Sequence, residues 1–218
     1  MNIWAIVPVK PFNRAKSRLA KVLTAEERQA LAEKMFRHSI ETLTAVEQIS
    51  GILVISRDTK VLGIARDYHV QTVQESGTPE LNAALYRASQ VVGSQGADGV
   101  LVMPADLPLV NAADITQILH LGRYHTTVVL APDRQEDGTN ILQVNPPGYI
   151  PFAFGVGSFR RHMMLAEESG ATVKIYRSDR AALDIDTPDD LALYERMVDA
   201  TQPHSREPHP EGNITLTE

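Results

Sequence analysis

Short runs of consecutive apolar residues alternate along this chain with longer stretches in which apolar positions recur every three or four residues. Ile3-Trp4-Ala5-Ile6-Val7 is continuous rather than alternating, the pattern of a strand buried on both faces. Ile52–Ile55, Gly99–Met103 and Thr127–Ala131 read the same way, and Val70–Val73 is a further predicted strand. Between them the period lengthens. Leu31, Met35, Ile40 and Leu43 follow Thr24, which with Glu27 three residues on forms a capping box, so a helix is predicted over about 24–46. Leu81–Val92 is a second predicted helix, and Asn111 with Asp114 caps a third that runs to about Leu121. After Ala131 the rhythm changes. Asp133–Gly138 is a polar turn, Ile141–Val144 a short strand, Ser158–Ser169 helical and Thr172–Tyr176 extended. Thr187-Pro188, an N-cap and a first-turn proline, opens a last helix to about Val198.

Strands alternating with helices predict an α/β fold: a mostly parallel sheet with helices on both faces, built from βαβ crossovers. In such sheets ligands bind at the carboxyl ends of the strands. The loops that follow Val7, Ile55, Met103 and Ala131 are therefore the places to look for chemistry.

Composition narrows the classes. The 218 residues suffice for one sizeable core, predicted over 1–199, with a polar, proline-bearing disordered tail over 200–218. Twenty-one Lys and Arg against 27 Asp and Glu give a charge of −6, which argues against a general nucleic-acid partner. The absence of cysteine removes disulfides, a thiolate nucleophile and Cys-ligated metals. No apolar run approaches the roughly 20 residues of a membrane span, and Ile3–Val9 lacks the charged front and cleavage site of a signal peptide. A cytoplasmic protein, compatible with a homodimer, is the expectation.

Against that acidic background the loop after the first strand is conspicuous. Lys10, Arg14, Lys16, Arg18 and Lys21 lie within one short segment, a cradle for a polyphosphate unless the loop is merely solvated. It carries neither a P-loop nor a Gly-x-Gly-x-x-Gly signature. Asp106, between Pro104 and Pro108 and straight after a buried strand, suits a divalent cation such as Mg²⁺; otherwise it accepts hydrogen bonds from a turn. Asp184 and Asp186 are two apart in an extended segment and so face one side, where both could meet one metal. Thr187, Asp189 and Asp190 fit a helix start, which leaves Asp184 unexplained by capping. A basic loop with separated acids describes phosphoryl or nucleotidyl transfer. An acceptor that is a phosphate monoester is mostly dianionic at neutral pH and needs no general base. The histidines, His162 among them, show no ligand spacing and take surface or structural roles.

Pro8-Val9-Lys10, Lys16-Ser17-Arg18-Leu19, Ser56-Arg57-Asp58, Leu81-Asn82-Ala83-Ala84-Leu85, Pro104-Ala105-Asp106-Leu107-Pro108 and Asp184-Ile185-Asp186-Thr187-Pro188 follow one another in a familiar order. The sequence resembles, over about residues 1–198, the CofC family of guanylyltransferases of coenzyme F-420 biosynthesis. That resemblance implies a single domain of the nucleotide-diphospho-sugar transferase type. It assigns Lys10, Lys16 and Arg18 to the triphosphate of GTP and Leu81 with Asn82 to the nucleoside. Asp106, Asp184 and Asp186 would take Mg²⁺, and Thr139, Gly155 and Ser158 would take the acceptor. Lys10, Lys16, Arg18 and Asp106 form the expected catalytic set. Hydroxyls from Thr139 and Ser158 and an amide at Gly155 near a helix start would make a small anion site. Turn closure by Thr139 and helix capping by Ser158 are the alternatives. One departure is Glu80, where a small residue usually precedes Leu-Asn. The implied reaction joins GTP to a three-carbon phosphate. Phosphoenolpyruvate would give enolpyruvoyl-2-diphospho-5′-guanosine and pyrophosphate, with 2-phospho-L-lactate and 3-phosphoglycerate as other acceptors. A related nucleotidyltransferase with another acceptor, and a non-catalytic nucleotide-binding regulatory module, are the competing readings.

Overall fold

The structure, a computed structural model, describes residues 1–76 and 80–201. Apart from Ala200 and Thr201, the predicted tail lies outside the described residues. Seven strands form one sheet: β1 (Ile3–Val9), β2 (Ile49–Ser56), β3 (Gln71–Gln74), β4 (Gly99–Val102), β5 (Thr127–Pro132), β6 (Thr139–Asn145) and β7 (Thr172–Ile175), in the order β3-β2-β1-β4-β6-β5-β7. All neighbours pair in parallel except β6, which runs antiparallel to both β4 and β5. The connection from β5 to β6 explains this. A parallel return needs a dozen or more residues, whereas the polar turn Asp133–Gly138 has room only for a hairpin. Every residue of β5 and β6 is buried, the polar Asn140, Gln143 and Asn145 of β6 included.

The two faces of the sheet carry separate cores. Ala5, Val7, Val54, Leu101, Val129 and Ile141 point to one, covered by α1 (Ala25–Thr44), α2 (Thr59–Asp67) and α4 (Ala112–Leu121). Ile6, Leu53, Val102, Val128, Leu130 and Leu142 point to the other, covered by α3 (Leu81–Ser94) and α5 (Ser158–Glu168). The alternation along each strand follows from its period of two. The α/β expectation with helices on both faces is met.

Both predicted capping boxes are present, Thr24 with Glu27 on α1 and Asn111 with Asp114 on α4. Helix α2, capped by Asp58, was not predicted; it is short and interrupted by Gly63, so no sustained period marks it. Glu80, out of place in the family pattern, is the N-cap of α3, its carboxylate accepting from the Ala83 N–H at 3.1 Å. A one-turn helix, α6 (Asp179–Ala182), precedes the acidic segment, and α7 (Pro188–Thr201) follows it. Among the described residues no helix is long and apolar enough to cross a membrane.

Candidate active site

The basic loop folds as two 3-10 turns, Phe12–Arg14 and Ser17–Lys21, pinned from both ends. Phe12 is buried against Phe36, and its N–H donates to Asp58, while the Ser56 hydroxyl donates to the Val9 carbonyl. The Ser56-Arg57-Asp58 segment is thus a brace for the loop. Leu19, Met35 and Ile185 form a third small cluster, with Leu191 and Tyr194 of α7 beside it. It locks the loop to the acidic segment. Between the two turns Lys16 adopts a left-handed backbone, φ 54°, a conformation that costs a side-chain-bearing residue about 1–3 kcal/mol and concentrates at functional sites.

That backbone turns Lys16 inward. Its side chain is 6% exposed, and its Nζ lies 2.9 Å from Asp106 and 3.1 Å from Asp186. Burial alone would lower its pKa, but the two carboxylates outweigh burial and raise it, so the ammonium is permanent. Lys10 and Arg18, by contrast, are exposed at the crevice, with Arg18 3.5 Å from Asp186. The expected phosphate-binding cations therefore divide: two are offered to solvent, and Lys16 is engaged by acids.

Asp106 follows β4 as predicted, and its carbonyl accepts the Ile185 N–H at 3.3 Å, which ties the two acidic segments together. Leu183 and Ile185 are buried, so the alternating backbone turns Asp184 and Asp186 to the opposite side. The three carboxylates feel one another. Burial, then Asp106 and Asp186, push Asp184 up to about 6. Burial also acts to raise Asp186, but Lys16 outweighs it and holds Asp186 below the usual carboxylate range. Asp106, Asp184 and Asp186 are hard oxygen donors of the kind that suits a divalent cation. Among the described residues no three of them stand as a ready-made ligand cage.

Because β6 is antiparallel, its first residue, Thr139, lies at the same edge of the sheet as the carboxyl ends of β1 and β4. Asp133 organises the turn before it, accepting the N–H groups of Gln135, Asp137 and Gly138. Asp137 in turn accepts from Gly157, and its carbonyl from Phe159, so the turn is zipped to the start of α5. Gly155 at φ +123° and Gly157 at φ +70° make the tight entry to that helix. Ser158 does not cap α5; it is the first helical residue, and its hydroxyl accepts the Thr139 N–H at 2.8 Å. Thr139, Gly155 and Ser158 are brought together as expected.

Asn82, expected at the nucleoside, is engaged with the backbone of Phe154. Its Oδ1 accepts the Phe154 N–H at 2.8 Å and its Nδ2 donates to the Phe154 carbonyl at 3.2 Å, so both amide groups clasp the segment that leads to Gly155. Leu81, at the start of α3, is 40% exposed. Three further side chains make contacts that no sequence motif announces. Arg161 donates to the carbonyls of Ala153 and Val156, bracing the glycine loop. His162 is buried beneath Thr139. Asp114, fully buried, grips Arg180 of α6. A hollow of about 410 Å³ between Met1, Ile3, His120, Arg123 and Gln143 contains none of the acids or cations of the crevice.

With this geometry in place, comparison with known proteins is informative. Residues 3–208 match the family model described as guanylyl transferase CofC like. A phosphoenolpyruvate guanylyltransferase of Rubrobacter xylanophilus is 37% identical over 195 residues, 89% of this chain and 94% of that protein. A 2-phospho-L-lactate guanylyltransferase of Methanothermobacter thermautotrophicus is 34% identical over 208 residues, covering 95% and 89%. Among solved structures, a nucleotidyl transferase from a Methanothermobacter species superposes with a TM-score of 0.64 at 17% identity over 91% of this chain and 99% of that one. The CMP-2-keto-3-deoxy-manno-octonic acid synthetase complexed with CTP gives 0.61 at 12% identity, covering 92% and 99%. These last two likenesses show the shared fold.

Proposed function

This chain belongs to the CofC-like guanylyl transferase family, and from that premise we propose that it joins GTP to phosphoenolpyruvate, forming enolpyruvoyl-2-diphospho-5′-guanosine and pyrophosphate in the cytoplasmic synthesis of coenzyme F-420. The observation that carries this reading is the pairing, at one edge of the sheet, of a cation-rich acidic crevice with a separate cluster of neutral donors. Phosphoenolpyruvate is preferred as acceptor because the Rubrobacter relative, at 37% identity, is named for it.

The acceptor phosphate is mostly dianionic at neutral pH. One of its oxygens attacks the α-phosphorus of GTP, the bond from that phosphorus to the β-bridging oxygen breaks, and pyrophosphate leaves with the bonding electrons. No proton need be removed from the nucleophile. Lys10 and Arg18, exposed at the crevice, take the charge of the triphosphate, the guanidinium as a two-pronged donor. Lys16 keeps Asp106 and Asp186 in place and neutralises part of the charge that would otherwise repel an anion. Thr139, Ser158 and the Gly155 N–H hold the three-carbon acceptor. Asp106, Asp184 and Asp186 would hold Mg²⁺, which when bound neutralises developing charge on the phosphates.

Pyrophosphate release, measured with Mg²⁺, four nucleoside triphosphates and each three-carbon phosphate in turn, tests the reading. Release with GTP and phosphoenolpyruvate alone is expected. Release with GTP and 2-phospho-L-lactate alone would move the acceptor to that of the Methanothermobacter relative. Silence across the panel from folded protein would overturn the reading.

A further inference from the structure

We infer that His162 is a positioning residue that dictates which way the Thr139 hydroxyl points, turning it into a donor aimed at an anionic acceptor. The inference rests on the assignment of Thr139 to the acceptor site. His162 sits on α5 with no exposed surface, its ring 4.9 Å from that of Phe154 in an edge-on contact. Its Nε2 lies 2.9 Å from the Ala153 backbone nitrogen and its Nδ1 3.0 Å from Thr139 Oγ1.

The protons follow from these two distances. A backbone N–H can only donate, so Nε2 must present its lone pair to Ala153. A neutral imidazole with a bare Nε2 carries its proton on Nδ1. Nδ1–H therefore donates to Thr139 Oγ1, and the hydroxyl, already accepting there, must direct its own hydrogen elsewhere. Ser158 is polarised in the same sense, since its oxygen accepts the Thr139 N–H. Two hydroxyls are thus held as donors, the arrangement that suits a carboxylate or phosphate oxygen and penalises a ligand that would itself donate. Burial, with the charge of Arg161 nearby, holds the ring neutral by lowering its pKa to about 4, consistent with the single-proton form.

Phe154, on which the ring rests, is itself clasped by Asn82. The chain Asn82–Phe154–His162–Thr139 therefore fixes the acceptor site from α3 across to β6.

Nitrogen-15 NMR of the histidine rings in the intact chain reads the tautomer directly. Protonation of His162 at Nδ1 is expected; protonation at Nε2 overturns the inference whatever Thr139 binds. Steady-state kinetics with GTP and the acceptor then separate the two assignments. Thr139→Val should raise the acceptor KM by about ten- to a hundredfold, the loss of a hydrogen bond to a charged group, while Thr139→Ser restores it. His162→Phe should raise the acceptor KM similarly with the GTP KM unchanged, and the double variant should be no worse than either single one. Should His162→Phe fail to fold, His162→Asn, which retains an N–H for Thr139, replaces it and should keep a near-normal acceptor KM. An unchanged KM in Thr139→Val removes the acceptor-site reading and this inference with it. A normal effect of Thr139→Val with fully multiplicative losses in the double variant, or with His162→Asn as impaired as Thr139→Val, removes the inference alone.

Discussion

Replacing Asp114 with Asn removes one charge and changes almost no volume, yet it should be among the most damaging single substitutions in the chain. Asp114 has no exposed surface, and donors converge on it from the 176–180 segment and from the cap of its own helix. Arg180 reaches it twice at 2.8 Å, the Tyr176 hydroxyl at 2.7 Å, the Ser178 hydroxyl at 3.1 Å and the Asn111 N–H at 3.1 Å. An amide oxygen could satisfy only part of this set, and the amide NH₂ would face donors. Breaking a buried ion pair from one side typically costs about 3–5 kcal/mol. The Arg180 side chain is 47% exposed and can recover hydration, so the lower end, about 3 kcal/mol, applies here. For a chain of this size that is a fall of about 6–12 °C in Tm. The pH dependence gives a second check. Burial acts to raise the Asp114 pKa, but Arg180, Tyr176 and Asn111 outweigh it and hold it below the usual range. A carboxylate with a depressed folded-state pKa contributes stability that is present above its unfolded pKa of about 4 and lost as pH falls through the folded value. The gap between wild type and Asp114→Asn in urea denaturation should therefore stay constant from pH 7 to 5 and shrink below about pH 4. A loss under about 1 kcal/mol at pH 7, or a gap indifferent to acid, would refute the reasoning, because both follow from the ionised, buried carboxylate.

Asp184→Asn should do the opposite at neutral pH. The wild-type carboxyl has its pKa pushed up to about 6, so its favourable contribution is complete below the unfolded pKa and lost as pH rises through 6. Allowing for partial exposure, the variant should be about 1–2 kcal/mol more stable at pH 7 while losing turnover, with the difference vanishing near pH 4; a destabilised variant at pH 7 would contradict the crowding of acids. Gly155→Ala forces a side chain into φ +123° and should cost about 1–3 kcal/mol of stability and weaken acceptor binding, read as Tm and acceptor KM. An unchanged Tm would mean the loop relaxes freely. Lys16→Met should abolish pyrophosphate release because the acids lose the ammonium that holds them, and retained turnover would show that its contacts with Asp106 and Asp186 serve folding alone.

The strands β1, β2, β4 and β5 were legible because strands buried on both faces must be written as apolar runs, and the helices of ten or more residues because an apolar period or a cap marks them. The antiparallel course of β6 was available in principle from the length of the Asp133–Gly138 turn, yet apolar pattern alone carries no strand direction. Asp106 and the Asp184–Asp186 pair were legible for the same reason as the fold, since strand ends and alternation fix where a carboxylate points. Lys16 was legible as a cation but not as a buried one: its partners lie 90 and 170 residues away, and only a left-handed turn brings it to them. Asn82 and His162 show the converse. An amide that clasps a backbone and a ring that orients a hydroxyl leave no pattern in composition or spacing, because their roles are set by which loop folds over them. Asp114 was read as one half of a capping box, which it is; its grip on Arg180 adds a contact that links α4 to the segment leading into the acids.

The most direct test of the account follows the oxygen atoms. Phosphoenolpyruvate carrying oxygen-18 throughout its phosphate, incubated with GTP, Mg²⁺ and the protein, should yield a guanosine diphospho conjugate that holds all of the label, and pyrophosphate that holds none. Label in the pyrophosphate, or release of guanosine monophosphate without any conjugate, would contradict attack by the acceptor phosphate on the α-phosphorus of GTP.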